Sequence, residues 1–473
     1  MRPATSSKRK SEVSEGLPAR AGLALASWSE RWFPDPMVIA LLGVVVVFVL
    51  GVLSGVSPAR LAFEGGKSFW ALVPFTMQMI MIIVCGHVVS STPLVRGLIE
   101  RIARVPDSPR HAVAWVALFS MLTSLISWGL SLIFSGLLVR AMAQRIKGLD
   151  YRAAGAAAYL GLGVVWAMGL SSSAAMLMAT KAAMPASLLE ISGVIPLSQT
   201  IFLWRSIAAT AIMITVSVFV AYLSAPSAEN ARTADDYNIP HAPAPNEAGR
   251  ATTPGEWLEY SPILTVLVAG LLVSYLVEIF RTSPNGALAA LDLSTYNLIF
   301  LVTGMLLHWR PVRFLRSVAE SIPSTGGVLI QFPFYAMILG MIAGTGLNEK
   351  IAHLFSSVTS HNTFALVVAT YSAVLGIFIP SGGSKWVIEA PYVMQAAITN
   401  RVHLGWVVQV YNASEALPNL INPFWMIPLL GILKLRARDL VGYGMLQLMV
   451  QLPVVFFLCW LFSLSIPFIP PVK

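Results

Sequence analysis

Apolar residues run through this chain in long stretches, separated by short clusters of Arg and Lys. The stretches at 35–56, 69–91, 153–180, 201–224, 260–281, 295–309, 323–346, 405–432 and 439–466 are candidate spans, since a bilayer takes about 20 apolar residues per helix. Two further apolar regions, 111–146 and 361–397, are too long for one span and too short for two. Each is interrupted near its middle by small polar residues: Ser127-Trp128-Gly129-Leu130-Ser131 in the first, Pro380-Ser381-Gly382-Gly383-Ser384 in the second. The pattern predicts an all-α polytopic membrane protein of about nine transmembrane helices with two re-entrant hairpins.

Charge orients these elements. Loop 92–110 carries Arg96, Arg101, Arg104 and Arg110, and loop 140–152 carries Arg140, Arg145, Lys147 and Arg152. Basic loops stay on the cytoplasmic side, so both ends of region 111–146 lie inside and the segment re-enters. With the N-terminus inside, Arg310, Arg313 and Arg316 also fall inside, as do Lys434, Arg436 and Arg438, whereas the second hairpin enters from the opposite face and the C-terminus lies outside. Opposed hairpins suggest an inverted repeat. Pro74-Phe75 recurs as Pro333-Phe334, Ser127-x-Gly129 as Ser381-x-Gly383, and Gly169-Leu170-Ser171-Ser172 falls where Asn419-Leu420-Ile421-Asn422 falls. The expected organisation is a cytoplasmic tail over 1–34 with an interfacial helix, a first repeat over 35–224, a linker over 225–258, a connecting helix over 259–282 and a second repeat over 295–466.

Composition narrows the function. The 473 residues are 56% hydrophobic and 11% charged, with a net charge of +9 that sits in loops and gives no nucleic-acid surface. Cys85 and Cys459 both lie in apolar runs, so neither a disulfide framework nor a Cys/His metal site is expected. The seven histidines are scattered without an HExxH motif, which argues against a membrane-embedded enzyme. No cofactor is expected; the partners are a small substrate and the lipid bilayer.

Non-helical backbone is tolerated at membrane depth only where protein or a watery cavity surrounds it. Besides the two hairpin tips, breaks fall at Ala167–Met176 and at Asn412–Trp425, where Pro418 and Pro423 each remove a backbone donor. Ser171, Ser172, Ser173, Asn419 and Asn422 stand around them with groups able to bind a carboxylate or a cation. In Pro380–Trp386 the proline ends one helix and the serines and glycines open the next, so free N–H groups face the break and suit an anion. Ser381, Gly382, Gly383 and Ser384 therefore lead the candidate substrate site, with Ser127, Gly129 and Ser131 of the first tip as a weaker counterpart. The bland alternative for each break is close helix packing, for which Gly and Ser are also used.

Three charged residues accompany the second half of the site. Lys385 and Glu389 are spaced i, i+4, which fits a plain ion pair or a source of positive potential beside the tip. Glu415 lies in the fourth break, where an ionisable group is a candidate for proton or Na+ coupling.

The runs IPSGGSKWVIEAPYV and YNASEALPNLINPFWMIPLLGIL resemble the short-chain fatty acid transporter family within the ion transporter superfamily, and the resemblance covers nearly the whole chain. It implies transport of small monocarboxylates such as butyrate or acetoacetate across a bacterial cytoplasmic membrane. It also implies a homodimer whose transport domain, made of the hairpins and the spans at 153, 201, 405 and 439, slides elevator-like against a scaffold. The residues agree on sign and size: a donor-rich tip suits a carboxylate, and a wall of Trp166, Met168, Leu170 and Phe424 suits a short apolar tail. A dicarboxylate transporter, using both tips, and a passive anion channel are the competing readings.

Overall fold

The computed structural model describes residues 15–179, 181, 184, 186–239, 252–283, 290, 293–347, 359–378 and 382–471, and among these the chain is helical with no strand. It opens with α1 (Leu17–Trp32), α2 (Pro36–Leu53), α3 (Pro58–Ser68), α4 (Val73–Ser90) and α5 (Pro93–Ala103). Proline is the first residue of α2, α3 and α5 and the second of α1 and α4; its locked φ suits the first turn and its missing N–H would be unpaired there anyway. Helices α6 (Pro109–Ile126) and α7 (Trp128–Arg145) meet at Ser127. Next, α8 (Tyr151–Leu160) passes through a π turn (Gly161–Val165) and a 3-10 turn (Trp166–Met168) into α9 (Ser173–Ala179).

The middle of the chain forms α10 (Ala186–Ser192), α11 (Trp204–Ser224), α12 (Pro254–Tyr260), α13 (Ile263–Thr282), α14 (Leu293–His308), α15 (Pro311–Ser321) and α16 (Gly326–Gly344). The last part repeats the order of the first: α17 (Phe364–Phe378) and α18 (Gly382–Thr399), then α19 (Leu404–Ala416), 3-10 turns at Leu417–Leu420 and Phe424–Met426, and α20 (Ile427–Leu433). The chain closes with α21 (Ala437–Ser465). The bend between the two parts of the second broken helix is 74°.

Five helical stretches among the described residues are long and apolar enough to span, and eight are if three bent pairs count as single spans. The expected span at 323–346 is shortened because Ile322–Ser324 forms a separate 3-10 turn. The basic loops hold more structure than their polarity predicts: α5 and α15 are amphipathic helices that carry Arg96, Arg101, Arg313 and Arg316. Leu94 and Leu98 of α5 remain exposed, as suits a helix lying in an interface. The pairing of Pro74 with Pro333 is not locally equivalent, since Pro74 is in the first turn of α4 and Pro333 is inside α16.

The buried apolar residues divide into two clusters. The larger takes α6–α9, α11 and α17–α21, with contributions from α1 and α5. The smaller takes α2, α3, α4 and α16, joined by Phe424 and Ile427. Along the seam Phe332 of α16 stacks on Phe424, with ring centroids 4.4 Å apart, and Trp128 packs edge-on to Trp425 at 5.1 Å.

The beginning of the expected linker is docked onto the larger cluster. Glu15 accepts hydrogen bonds from Ser227 N (2.7 Å), Ser227 Oγ (2.6 Å) and Asn230 Nδ2 (2.9 Å) and pairs with Arg110 at 3.2 Å. Burial alone would raise its carboxyl pKa, but these bonds and the Arg110 charge outweigh that and hold it below the usual carboxylate value. Arg152, itself buried, bridges Asp150 (2.9 Å) and Glu30 (2.8 Å), and Glu30 also receives Arg232 at 2.8 Å. Composition alone suggested a free segment; the tertiary ion pairs explain the difference. Residues 240–251 of the linker lie outside the described residues.

Candidate functional site

The two broken helices cross where their helical bonding fails. Gly163 of the π turn lets Leu420 approach so closely that any Cβ would collide with it. The crossing brings Trp166 and Ser173 from the first break against the start of α18. A Cβ on Gly382 would stand 2.7 Å from the Trp166 ring and 3.1 Å from Glu415 Oε2, and one on Gly383 would stand 3.2 Å from Ser173 Cβ. The glycines are thus required for contact among three elements that are distant in sequence. Tyr411, one turn before Glu415 on α19, donates its hydroxyl to the Gly382 carbonyl at 2.6 Å and ties that helix start to the broken span.

Charge is concentrated just behind this contact. Lys385, Glu389 and Glu415 are 0%, 0% and 2% exposed. Among the described residues neither carboxylate is in ion-pair contact with the lysine, so the plain i, i+4 pair is not formed as a direct contact. Instead Lys385 Nζ donates to the Ser372 carbonyl of α17 at 2.8 Å and lies 5.0 Å from the Tyr411 ring centre. Ser372 Oγ in turn donates to Glu389 Oε2 at 3.2 Å. One serine therefore holds the acid and the base of the next hairpin arm apart.

Several polar atoms here have no hydrogen-bond partner among the described residues: Glu389 Oε1, Glu415 Oε2, both amide atoms of Asn419 and the Trp166 indole Nε1. Leaving a buried polar atom unpaired costs about 1–3 kcal/mol. That they gather at one crossing makes it the candidate site.

The first hairpin tip is different. Ser127 Oγ caps α7 by accepting from Leu130 N at 3.2 Å. Ser171 Oγ accepts from Trp128 N at 2.9 Å and donates to the Ser124 carbonyl at 2.8 Å. Ser131 Oγ donates to the Ser120 carbonyl at 2.7 Å, and Ser172 Oγ caps α9 by accepting from Ala175 N at 3.1 Å. Gly129 packs against Ile82 of α4.

A sequence profile described as "Short chain fatty acid transporter" matches residues 18–462. The chain belongs to the short-chain fatty acid transporter family. Two relatives carry that name provisionally. The one from Escherichia coli K12 is 34% identical over 416 residues, covering 87% of this chain and 92% of the relative. The one from Haemophilus influenzae is 32% identical over 444 residues, covering 92% of this chain and 98% of the relative. Among solved structures, the chain is similar to Neisseria gonorrhoeae MtrF, described with a class of antimetabolite efflux pumps, at TM-score 0.46 and 12% identity over 92% of this chain and 97% of that one. The Alcanivorax borkumensis YdaH transporter gives 0.47 and 14% over 92% of this chain and 100% of that one.

Membership and the apolar helices make the chain an integral membrane protein of a transporter family. In this family member the site residues read from the sequence fall into three groups. Gly382, Gly383, Ser173, Glu415, Lys385 and Glu389 gather around the start of α18, and buried Asn419 lies one turn beyond Glu415, in the 3-10 turn Leu417–Leu420. Ser127, Gly129, Ser131, Ser171 and Ser172 are committed to internal packing and hydrogen bonds. Asn422 also acts as a tie, donating to the Ile377 carbonyl at 3.1 Å and accepting from Phe424 N at 3.0 Å. Ser381 lies outside the described residues, and so does the side chain of Ser384.

One detail corrects the expected apolar wall. Phe424 does not share a wall with Trp166; it belongs to the seam, against Phe332 and Tyr335, because Pro423 turns the chain away from the crossing. Leu170 is held by its backbone, N to the Leu125 carbonyl at 2.7 Å. Sequence reasoning missed Ser372 and Tyr411. Tyr411 lies four residues before Glu415 on a predicted helix, a spacing that puts both on one face, whereas Ser372 sits in an apolar run with no local signal.

Proposed function

We propose that this protein is a secondary transporter that moves short-chain fatty acids, small monocarboxylates such as butyrate or acetoacetate, across the bacterial cytoplasmic membrane, coupled to H+ or Na+. The observation that carries the reading is the buried pair Glu415 and Asn419, four residues apart, whose Glu415 Oε2 and Asn419 amide atoms have no hydrogen-bond partner among the described residues, with Glu415 Oε2 against the glycine start of α18. Donors of the Asn419 amide and the α18 N-terminus suit a carboxylate, and Trp166 offers an apolar face for a short tail. Family membership supports the substrate class.

A monocarboxylate fits better than a dicarboxylate because the serines of the first tip are already spent on internal bonds, which leaves one donor set. Alternating access is by an elevator-like slide of the larger helical cluster past the smaller, within an inverted repeat and a homodimer, with the N-terminus inside. The apolar, aromatic seam supports this: a surface of stacked rings holds few directional bonds that a slide would break.

Uptake of labelled butyrate into proteoliposomes tests the proposal, with an imposed pH gradient, an imposed Na+ gradient, or neither. Accumulation under one gradient, competed by acetoacetate and unaffected by succinate, is the expected result. Competition by succinate instead moves the substrate to dicarboxylates, and rapid equilibration without accumulation under either gradient makes the protein a channel.

A further inference from the structure

The buried charges at the crossing do not balance. Lys385, Glu389 and Glu415 are buried together: Ser372 bonds to both Lys385 and Glu389, and a Cβ on Gly376 would stand 3.3 Å from Lys385 Nζ and 3.6 Å from the Glu415 carbonyl oxygen. With all three ionised the group carries one net negative charge. The remaining titratable groups facing it are tyrosines: Tyr371 from α17, Tyr392 from α18, Tyr411 from α19 and Tyr159 from α8. These are neutral at physiological pH unless perturbed downward, and negative neighbours oppose that. Among the described residues, no second cation is recorded facing the trio to cancel the surplus.

The hydrogen bonding points the same way. The Ser372 hydroxyl satisfies one oxygen of Glu389, its carbonyl takes the lysine, and among the described residues one oxygen of each carboxyl group has no partner. An uncompensated buried charge is costly, and a proton on either carboxylate removes it. Two interacting carboxylates near one ammonium then titrate as a unit, not as separate residues.

Resting on the carboxylate-transport reading above, we infer that Glu389 and Glu415 together hold one proton in the empty site, and that a carboxylate substrate enters only with one further proton. The second proton forms an O–H bond with whichever of the two carboxylates is still ionised. Lys385 is then left to balance the substrate's negative charge. Release on the far side breaks that O–H bond and returns the proton to water, so each cycle carries one acid anion and one proton, and no net charge crosses the membrane. Na+ has no place in this balance.

Charge counting gives an unusual mutational signature. Glu415→Gln or Glu389→Gln alone removes the resting proton but leaves one carboxylate to receive the substrate's proton. The double substitution leaves Lys385 alone with the anion and nothing to protonate.

Calorimetric titration of the purified full chain with butyrate, repeated in buffers of different ionisation enthalpy, reads protons taken up per anion bound. About one proton is expected for the wild type and for each single variant, and none for the double variant. In proteoliposomes the wild type should transport electroneutrally, with uptake unchanged by an imposed membrane potential, while any residual flux of the double variant should become electrogenic. Butyrate binding by the wild type with no proton uptake, or with a Na+ requirement in its place, overturns the inference, as does one proton retained by the double variant. Absence of binding to butyrate, acetate and hexanoate alike overturns the substrate reading itself, and the proton count with it. The wild-type titration decides the matter even if the double variant does not fold.

Discussion

The helix pairs α6–α7 and α17–α18 carry the same Ser-x-Gly signature in sequence, and the described residues beside the two are engaged differently. At the first tip every site serine that the sequence nominates donates or accepts inside the protein, closing the break upon itself. Beside the second, charged and amide groups are buried with atoms left unpartnered. The lesson concerns hydrogen-bond accounting. A break in a membrane helix frees backbone groups whatever its purpose, and the two breaks differ in whether neighbouring side chains satisfy those groups or add unsatisfied ones among the described residues.

If the comparison holds, the largest effect comes from the second hairpin's lysine. Lys385→Met leaves two buried carboxylates without their cation and should cost about 3 kcal/mol of stability, seen as a lower Tm in detergent, with butyrate uptake nearly abolished. Next comes the contrast between glycines. Gly382→Val pushes a side chain into Trp166 and Glu415 and should weaken butyrate binding by about 2 kcal/mol, roughly thirtyfold in KM. Gly129→Ala presses on Ile82 and should instead lower stability by about 1–2 kcal/mol with little change in KM. The reverse pattern would exchange the roles of the two hairpins.

A finer contrast pairs Asn419→Ala with Ser171→Ala. Removing the unpartnered amide should raise KM about tenfold, equivalent to about 1.4 kcal/mol, without lowering Tm. Removing Ser171 unpairs Trp128 N and should cost about 1–2 kcal/mol in thermal stability while KM stays nearly constant. The smallest effect is one of selectivity. Trp166→Ala should improve hexanoate relative to butyrate in competition uptake by roughly fivefold, within the range that one or two methylenes contribute in an apolar pocket.

Much of this protein was legible without coordinates. The all-helical membrane class follows from the long apolar runs, because a continuous apolar segment can satisfy all its backbone groups within itself only as a helix. The hairpin breaks, the two interrupted helices and the candidate acids Glu389 and Glu415 follow from Pro, Gly and ionisable residues standing where hydrophobic continuity would otherwise prevail. The resemblance carried by IPSGGSKWVIEAPYV and its companion run located the family, which the profile match and two relatives bear out.

Other features depend on which distant segments meet. The amphipathic helices α5 and α15 hid in loops read mainly for their charge, and the docked stretch after α11 hid in a polar composition. Ser372 bonds to both Lys385 and Glu389 from another helix, 13 and 17 residues away in sequence. Phe424 left the predicted wall for the seam, and Asn422 and the first-tip serines became ties. Local patterns determine where a helix must break, since that is a property of propensity and backbone donors. Whether the freed and buried groups are then satisfied is determined by the partners that tertiary packing supplies, and that is what separates the two hairpins here.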